Sequence, residues 1–190
     1  MFSLRDYQHG DFEELYRIDT DCFEPRIAYT RGELQSFVQR KESFCIVAEP
    51  VENNSSTAGA VLVGNSEGEV GQSARGAKHS SETLTQGGRG GSGKVSIAGF
   101  VVVELHQEGY GHVITLDVRR DFRRHRLGTL LMQAAEERVR KLGGFMMALE
   151  AAVNNAAALA FYEGHRYKVL KRLPRYYARN LDALFMTKRL

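Results

Sequence analysis

The chain has 190 residues, 43% hydrophobic and 26% charged, with a formal net charge of +3. That length is one domain with a core of its own, and that balance excludes a disordered or fibrous chain; no apolar run approaches membrane-spanning length. The mild positive charge is concentrated in local arginine clusters, which points to a small anionic ligand and away from nucleic acid, while the two cysteines make neither a disulfide framework nor a metal motif. The opening MFSLRDYQHGDF lacks the apolar centre of a signal peptide, so a cytoplasmic protein in a reducing compartment, with no membrane partner, is expected.

In chain order, 3–7 reads as a first strand. Asp11 and Glu14 have the spacing of a capping box, opening a helix with Phe12, Leu15, Ile18 and Cys22 along one side. Glu24–Pro25 interrupts it, and a second box, Thr30 to Glu33, starts a helix through Leu34, Phe37 and Val38. The loop between them offers Arg26, Ile27 and Tyr29 to a ligand. A strand over 43–48 follows. Residues 51–94 then hold ten of the chain's 19 glycines, with many serines, asparagines and threonines. This composition predicts a disordered insertion in a hairpin loop, with 59–65 its only short strand candidate. Residues 95–105 form a long strand with Gly99 a bulge or twist point, and 112–118 returns antiparallel.

From 127 to 142 the apolar residues recur at helical spacing, and Gly143–Gly144 stops the helix behind Arg140 and Lys141. A strand over 145–151 comes next. Asn154 or Asn155 caps a short helix through AAALAFYE, and strands over 167–173 and 183–188 close the chain. The result is an α/β chain: a mixed sheet with helices on both faces.

The most informative stretch is 112–132, HVITLDVRRDFRRHRLGTLLM, a buried strand running through a basic turn into a helix. Five arginines, a histidine and one acid fill 119–126. A helix start presents unpaired N–H groups and the positive end of its dipole, so this is a cradle for phosphate or another anion.

Four stretches together resemble the GNAT N-acetyltransferases, in the branch that acetylates protein N-termini, the ribosomal-protein-alanine acetyltransferase type. ITLDVRRDFRRHRLGTLL resembles the acetyl-CoA signature, Arg or Gln followed by x-x-Gly-x-Gly; LEAAVNNAAALAFYEGHRY resembles the family's second motif; LPRYYARNLDALFMTKRL resembles its tail with paired tyrosines; DTDCFEPRIAYTRGEL resembles the loop between its first helices. Arg126 stands where the first signature glycine belongs, Arg166 where a glycine precedes the aromatic Tyr167, and Ala152 where the second motif has arginine. A positive φ at 126 would cost an arginine on the order of 1 kcal/mol, while its guanidinium would suit a phosphate.

The resemblance implies the GNAT fold, a twisted mixed sheet of about six to seven strands, and acetyl-CoA as co-substrate. It implies Glu150 as the base that takes the amine proton and Tyr162 as the acid that protonates the leaving thiolate. It implies that the backbone of Leu116, Asp117 and Val118 pairs with the pantetheine arm beside a β-bulge, with the Val118 N–H facing the developing oxyanion. Arg123, Arg124, His125, Arg126, Leu127, Gly128 and Thr129 would hold the diphosphate, and Asn155 would hydrogen-bond the cofactor. Tyr29, Tyr176 and Tyr177 would flank the groove for the substrate, a protein N-terminus. A GNAT acting on a small amine or lysine side chain, and a non-catalytic acyl-CoA-binding domain, are the alternatives. His112 is read as a strand-edge residue, and Cys22 and Cys45 as small core residues.

Overall fold

The computed structural model describes residues 1–23, 27–51, 96–177 and 180–190. The expected insertion over 51–94, with its strand at 59–65, falls outside them apart from Val51, as does Arg26. In chain order the elements are β1 (Phe2–Asp6), α1 (Phe12–Cys22), α2 (Arg31–Gln39), β2 (Ser43–Pro50), β3 (Gly99–His106), β4 (Tyr110–Val118), α3 (Leu127–Lys141), β5 (Met146–Ala152), α4 (Ala156–Gly164), β6 (Lys168–Tyr177) and β7 (Leu181–Arg189). The strands make one sheet in the order β1-β2-β3-β4-β5-β7-β6. Its neighbours are antiparallel except β4 and β5, which are parallel. The mixed α/β sheet read from the sequence is the architecture found.

Each sheet face carries its own core. On one side Phe44, Ile46, Val101, Val103 and Val113 pack under α3 through Leu127, Leu131, Met132, Ala135 and Val139. On the other, Cys45, Val47, Phe100 and Val102 pack under α1 and α2 through Leu15, Ile18, Leu34 and Val38. Alternate residues of β2 and β3 point to opposite faces, so a strand covered on both sides reads as a continuous apolar run. That is why SFCIVA and GFVVV carry no polar alternation.

Local signals held at three helix ends. Thr30 accepts from the Glu33 N–H at 3.3 Å, and the Thr30 N–H donates to Glu33 Oε2 at 2.9 Å, a complete capping box. Asn155 Oδ1 accepts from the Ala158 N–H at 3.0 Å, which settles the choice between Asn154 and Asn155. Past α3, Gly143 takes φ +85° and the Gly144 N–H returns to Val139 O at 2.9 Å. The box at Asp11 is different. The Asp11 carboxylate turns back to accept from Arg5 at 2.6 Å and from the Gln8 N–H at 2.7 Å, and Glu14 reaches the Ile97 N–H at 3.1 Å. Donors from β1, from the turn at Gln8 and from the segment before β3 outcompete the local cap.

Gly99 is not the bulge. Val102 faces Thr115 and Val103 faces Val113, so the extra residue is Ile114 on β4. Gly99 instead permits close approach: a Cβ there would lie 2.5 Å from the Asp117 carbonyl oxygen. β3 begins at Gly99, later than the expected 95, and β6 runs on to Tyr177, past the expected 173.

Candidate active site

The parallel pairing of β4 with β5 lasts only from Tyr110–Met146 to His112–Ala148, although β4 continues to Val118 and β5 to Ala152. Beyond His112 the strands diverge and leave a wedge in the middle of the sheet. The Ile114 bulge lies at the point of divergence, and the Tyr29 hydroxyl donates to the Ile114 carbonyl at 3.2 Å, fixing it. The Arg119 N–H bonds Ala98 O on the β3 side. Backbone groups alternate along a strand, so the N–H and C=O of Val118, and of Leu116 before it, face the wedge. Val118 O already accepts from Arg123 Nε at 3.0 Å, leaving the Leu116 groups and the Val118 N–H open to a partner.

The Asp117 side chain takes the opposite face, 1% exposed, with Thr115 Oγ1 donating to it at 3.0 Å and its other oxygen without a hydrogen-bond partner. Burial, then the nearby Asp19, pushes this carboxyl well above its ordinary range. Asp19, also buried, accepts from the Tyr29 N–H at 2.9 Å and so anchors the loop that carries Tyr29; burial raises its pKa to about 6.

At the mouth of the wedge α3 begins. Arg124 and Arg126 have φ of 67° and 60°, left-handed conformations in a chain without the expected first glycine. The turn therefore takes a glycine-type path with arginine in it. The unpaired first-turn N–H groups of Leu127, Gly128 and Thr129 point out of the helix start, and Arg124 and Arg126 are exposed, with no ion pair among the described residues. A methyl on Gly128 would sit 3.4 Å from the Phe161 ring, so this glycine brings α3 against α4. The other side chains of the turn are engaged: Arg123 folds back to Val118 O, His125 Nδ1 donates to Arg123 O at 2.9 Å, and the Thr129 hydroxyl meets His165 Nε2 at 3.0 Å. Asn155 commits its Oδ1 to capping α4 and keeps its amide N–H groups.

Glu150 and Tyr162 border the wedge from opposite faces. Tyr162, on α4, packs against the α3-side core, edge-on to Phe161 at 5.3 Å and to Tyr167 at 5.7 Å between ring centres. Its hydroxyl has no hydrogen-bond partner among the described residues, and burial, then Asp117 and Tyr177, raises its pKa. Phe161 and Tyr162 are both partly buried against this core. Glu150 is on the α1/α2 side, its side chain 13% exposed. Around it the tyrosines gather. Tyr177 OH donates to the Glu150 carbonyl at 3.3 Å, and burial, then the Glu150 carboxylate, pushes Tyr176 up to about 12. Burial and these same neighbours raise Tyr29 and Tyr177. The loop after α1 and the β6–β7 hairpin thus put three phenols beside one carboxylate.

The sequence missed His112. It is in the sheet interior, paired with Glu104 on β3 and Ala148 on β5, and its Nε2 lies 2.7 Å from Glu150 Oε2. Only the register of three strands brings the two together. A separate cleft of about 990 Å³, lined by Arg140, Arg166, Lys168, Lys188 and Arg189 among others, lies at the start of β5 and contains none of the predicted site residues.

The family model described as acetyltransferase (GNAT) matches residues 12–165. The chain is similar to the N-alpha-acetyltransferase daf-31 of Caenorhabditis elegans, 30% identical over 101 residues, covering 50% of this chain and 56% of that protein. The chain spans about half the length of the curated relatives it matches. Among solved structures it is similar to the ribosomal-protein-S18-alanine N-acetyltransferase of Escherichia coli, with TM-score 0.69, 16% identity, and coverage of 100% of this chain and 94% of that one. It is also similar to Arabidopsis thaliana NAA60 in complex with acetyl-CoA, with TM-score 0.68, 15% identity, and coverage of 100% and 99%. At those identities the likeness is one of fold.

Proposed function

We propose that this chain, which belongs to the acetyltransferase (GNAT) family, transfers an acetyl group from acetyl-CoA to the α-amine of a protein N-terminus by direct attack. The observation that carries this reading is the unpaired wedge between β4 and β5, with Glu150 on one side and Tyr162 on the other. The names of the relatives support the acceptor class: an N-alpha-acetyltransferase in one case, a ribosomal-protein-alanine acetyltransferase in another.

The site fits the co-substrate. An amide-bearing arm can add to the open backbone of Leu116 and Val118 as a short strand. The α3 start, with Arg124 and Arg126 beside it, suits a diphosphate. The Asn155 amide is left to donate to the same arm. On the other face Tyr29, Tyr176 and Tyr177 wall a groove that leads an extended N-terminus to Glu150.

Glu150 takes the ammonium proton, and His112 at 2.7 Å holds the carboxylate in place. The amine nitrogen then forms its bond to the acetyl carbon while the Val118 N–H meets the oxyanion. The C–S bond breaks, Tyr162, held as the neutral phenol by burial, donates its proton to the departing sulfur, and the second proton shed by the acylated nitrogen returns to the Tyr162 oxygen. No covalent enzyme intermediate is needed.

The test is acetylation of a panel of N-terminal peptides, lysine-bearing blocked peptides and small amines, with Glu150→Gln and Tyr162→Phe alongside. Unblocked N-termini should dominate, and each variant should lose about 10²–10⁴-fold in kcat. Variants that match the native chain would remove both assignments; equal rates on blocked lysine peptides or small amines would remove the acceptor class.

A further inference from the structure

We propose that Glu104, His106 and His112 form a binding site for a divalent transition cation of the zinc type, on the sheet face beside Glu150. Residues two apart on a strand share a face, which sets Glu104 and His106 side by side on β3. The β3–β4 register places His112 directly opposite Glu104. One potential ligand atom from each of the three lies within 4.8 Å of the others. A tetrahedral zinc with bonds of about 2.0–2.2 Å separates its ligands by roughly 3.4 Å, so closing the site takes about an ångström of side-chain rotation.

A second observation points to a missing partner. His106 Nε2 is buried and makes no hydrogen bond. Its ring is held by stacking on Tyr110, 4.3 Å between centres and 6° from parallel, so this nitrogen is fixed in place without a proton acceptor or donor. Leaving such a group unmet is costly, and a coordinated cation would supply the missing partner. Glu104 uses Oε1 to accept from Arg40 at 2.9 Å and retains Oε2. His112 has Nε2 against Glu150, so Nδ1 is left to coordinate, in the carboxylate–histidine–metal arrangement that orients a ligating ring. Two imidazoles and one carboxylate favour zinc over magnesium or calcium, which take oxygen ligands. Water completes the sphere.

The site would act as a brake. A cation on His112 locks the ring whose Nε2 lies 2.7 Å from Glu150 Oε2, so the carboxylate is held to that ring and is less free to reach the amine. This consequence rests on the function proposed above; binding itself does not.

Calorimetric titration of the full, chelator-stripped chain with zinc chloride, and with magnesium chloride as control, reads the site without any turnover. One zinc per chain is expected, no magnesium, and at least about tenfold weaker zinc binding in both His106→Ala and Glu104→Gln. Both variants should remain folded without metal, seen as a cooperative thermal transition. The rate of acetyl transfer should fall with zinc in the native chain and not in His106→Ala. No zinc binding, or binding equal in the native chain and both variants, overturns the site; zinc bound here without slowing transfer overturns its link to Glu150. Zinc binding in a chain that acetylates no amine leaves the site standing and overturns the acetyl-transfer reading instead.

Discussion

Glu150 and Asp19 show how position decides what a carboxyl does. Glu150 keeps a polar partner in His112 and an opening to solvent, so it is available to exchange a proton. Asp19 is fully buried and has one oxygen without a partner, so its folded pKa is raised from 3.8 to about 6. The sign follows from linkage. Between those values the folded chain holds a proton that the unfolded chain has lost, so the stability this group contributes is complete at low pH and is lost as pH rises through about 6. Asp117, raised by the same burial, acts in the same sense. The unfolding free energy of Asp19→Asn relative to the native chain should therefore improve by up to about 3 kcal/mol from pH 4 to pH 8, measured by urea unfolding at each pH. A difference that stays flat across that range would show that Asp19 does not titrate as its burial implies.

At the scale of elements, the end of β4 is held from several directions. The Ile114 bulge, the Tyr29 hydroxyl on its carbonyl, and Arg123 and Cys22 on the Val118 carbonyl keep the strand away from β5. Gly99 allows β3 to approach from the other edge. In Gly99→Ala the added methyl would meet backbone, the Asp117 oxygen at 2.5 Å and Val118 Cα at 3.2 Å, neither of which can rotate away. The variant should lose about 2 kcal/mol or more of stability, in line with overpacking, and its KM for acetyl-CoA should rise because Val118 is displaced. Chemical unfolding and initial rates check the two parts; a stable variant with unchanged KM would mean that β4 yields without moving the wedge. The α3 mouth carries a different stress. Arginine at φ 60° costs on the order of 1–2 kcal/mol per residue, and Arg124 and Arg126 both sit there. Exposed guanidiniums at a helix start are what that strain leaves in place.

For the whole molecule, two cores on opposite faces make the sheet a rigid partition, and the wedge is the gap in it. A ligand that pairs with both β4 and the α3 start fills the gap where β4 and β5 no longer pair. Acetyl-CoA at about 100 times its dissociation constant should stabilise the chain by about 2.7 kcal/mol, seen as a rise in melting temperature. Arg124→Ala with Arg126→Ala should retain the fold and lose much of that rise, increasingly so at low salt where charge counts most. A full thermal shift in the double variant would place the diphosphate elsewhere.

Much was legible in the amino-acid order. Periodicity and caps gave the helices, apolar runs gave the doubly covered strands, and the basic turn before Leu127 gave the arginine-flanked start of α3, because each of these is local chemistry. Asp11 shows where the helix-start signal fails: a cap is decided by whichever donor arrives, and Arg5 arrived from β1. His112 shows the same at the site. Its pairing with Glu150, its place opposite Glu104, and the wedge itself depend on strand register and on where one extra residue, Ile114, interrupts a ladder. Register is a property of packed faces shared among distant strands, so only the tertiary structure could decide it.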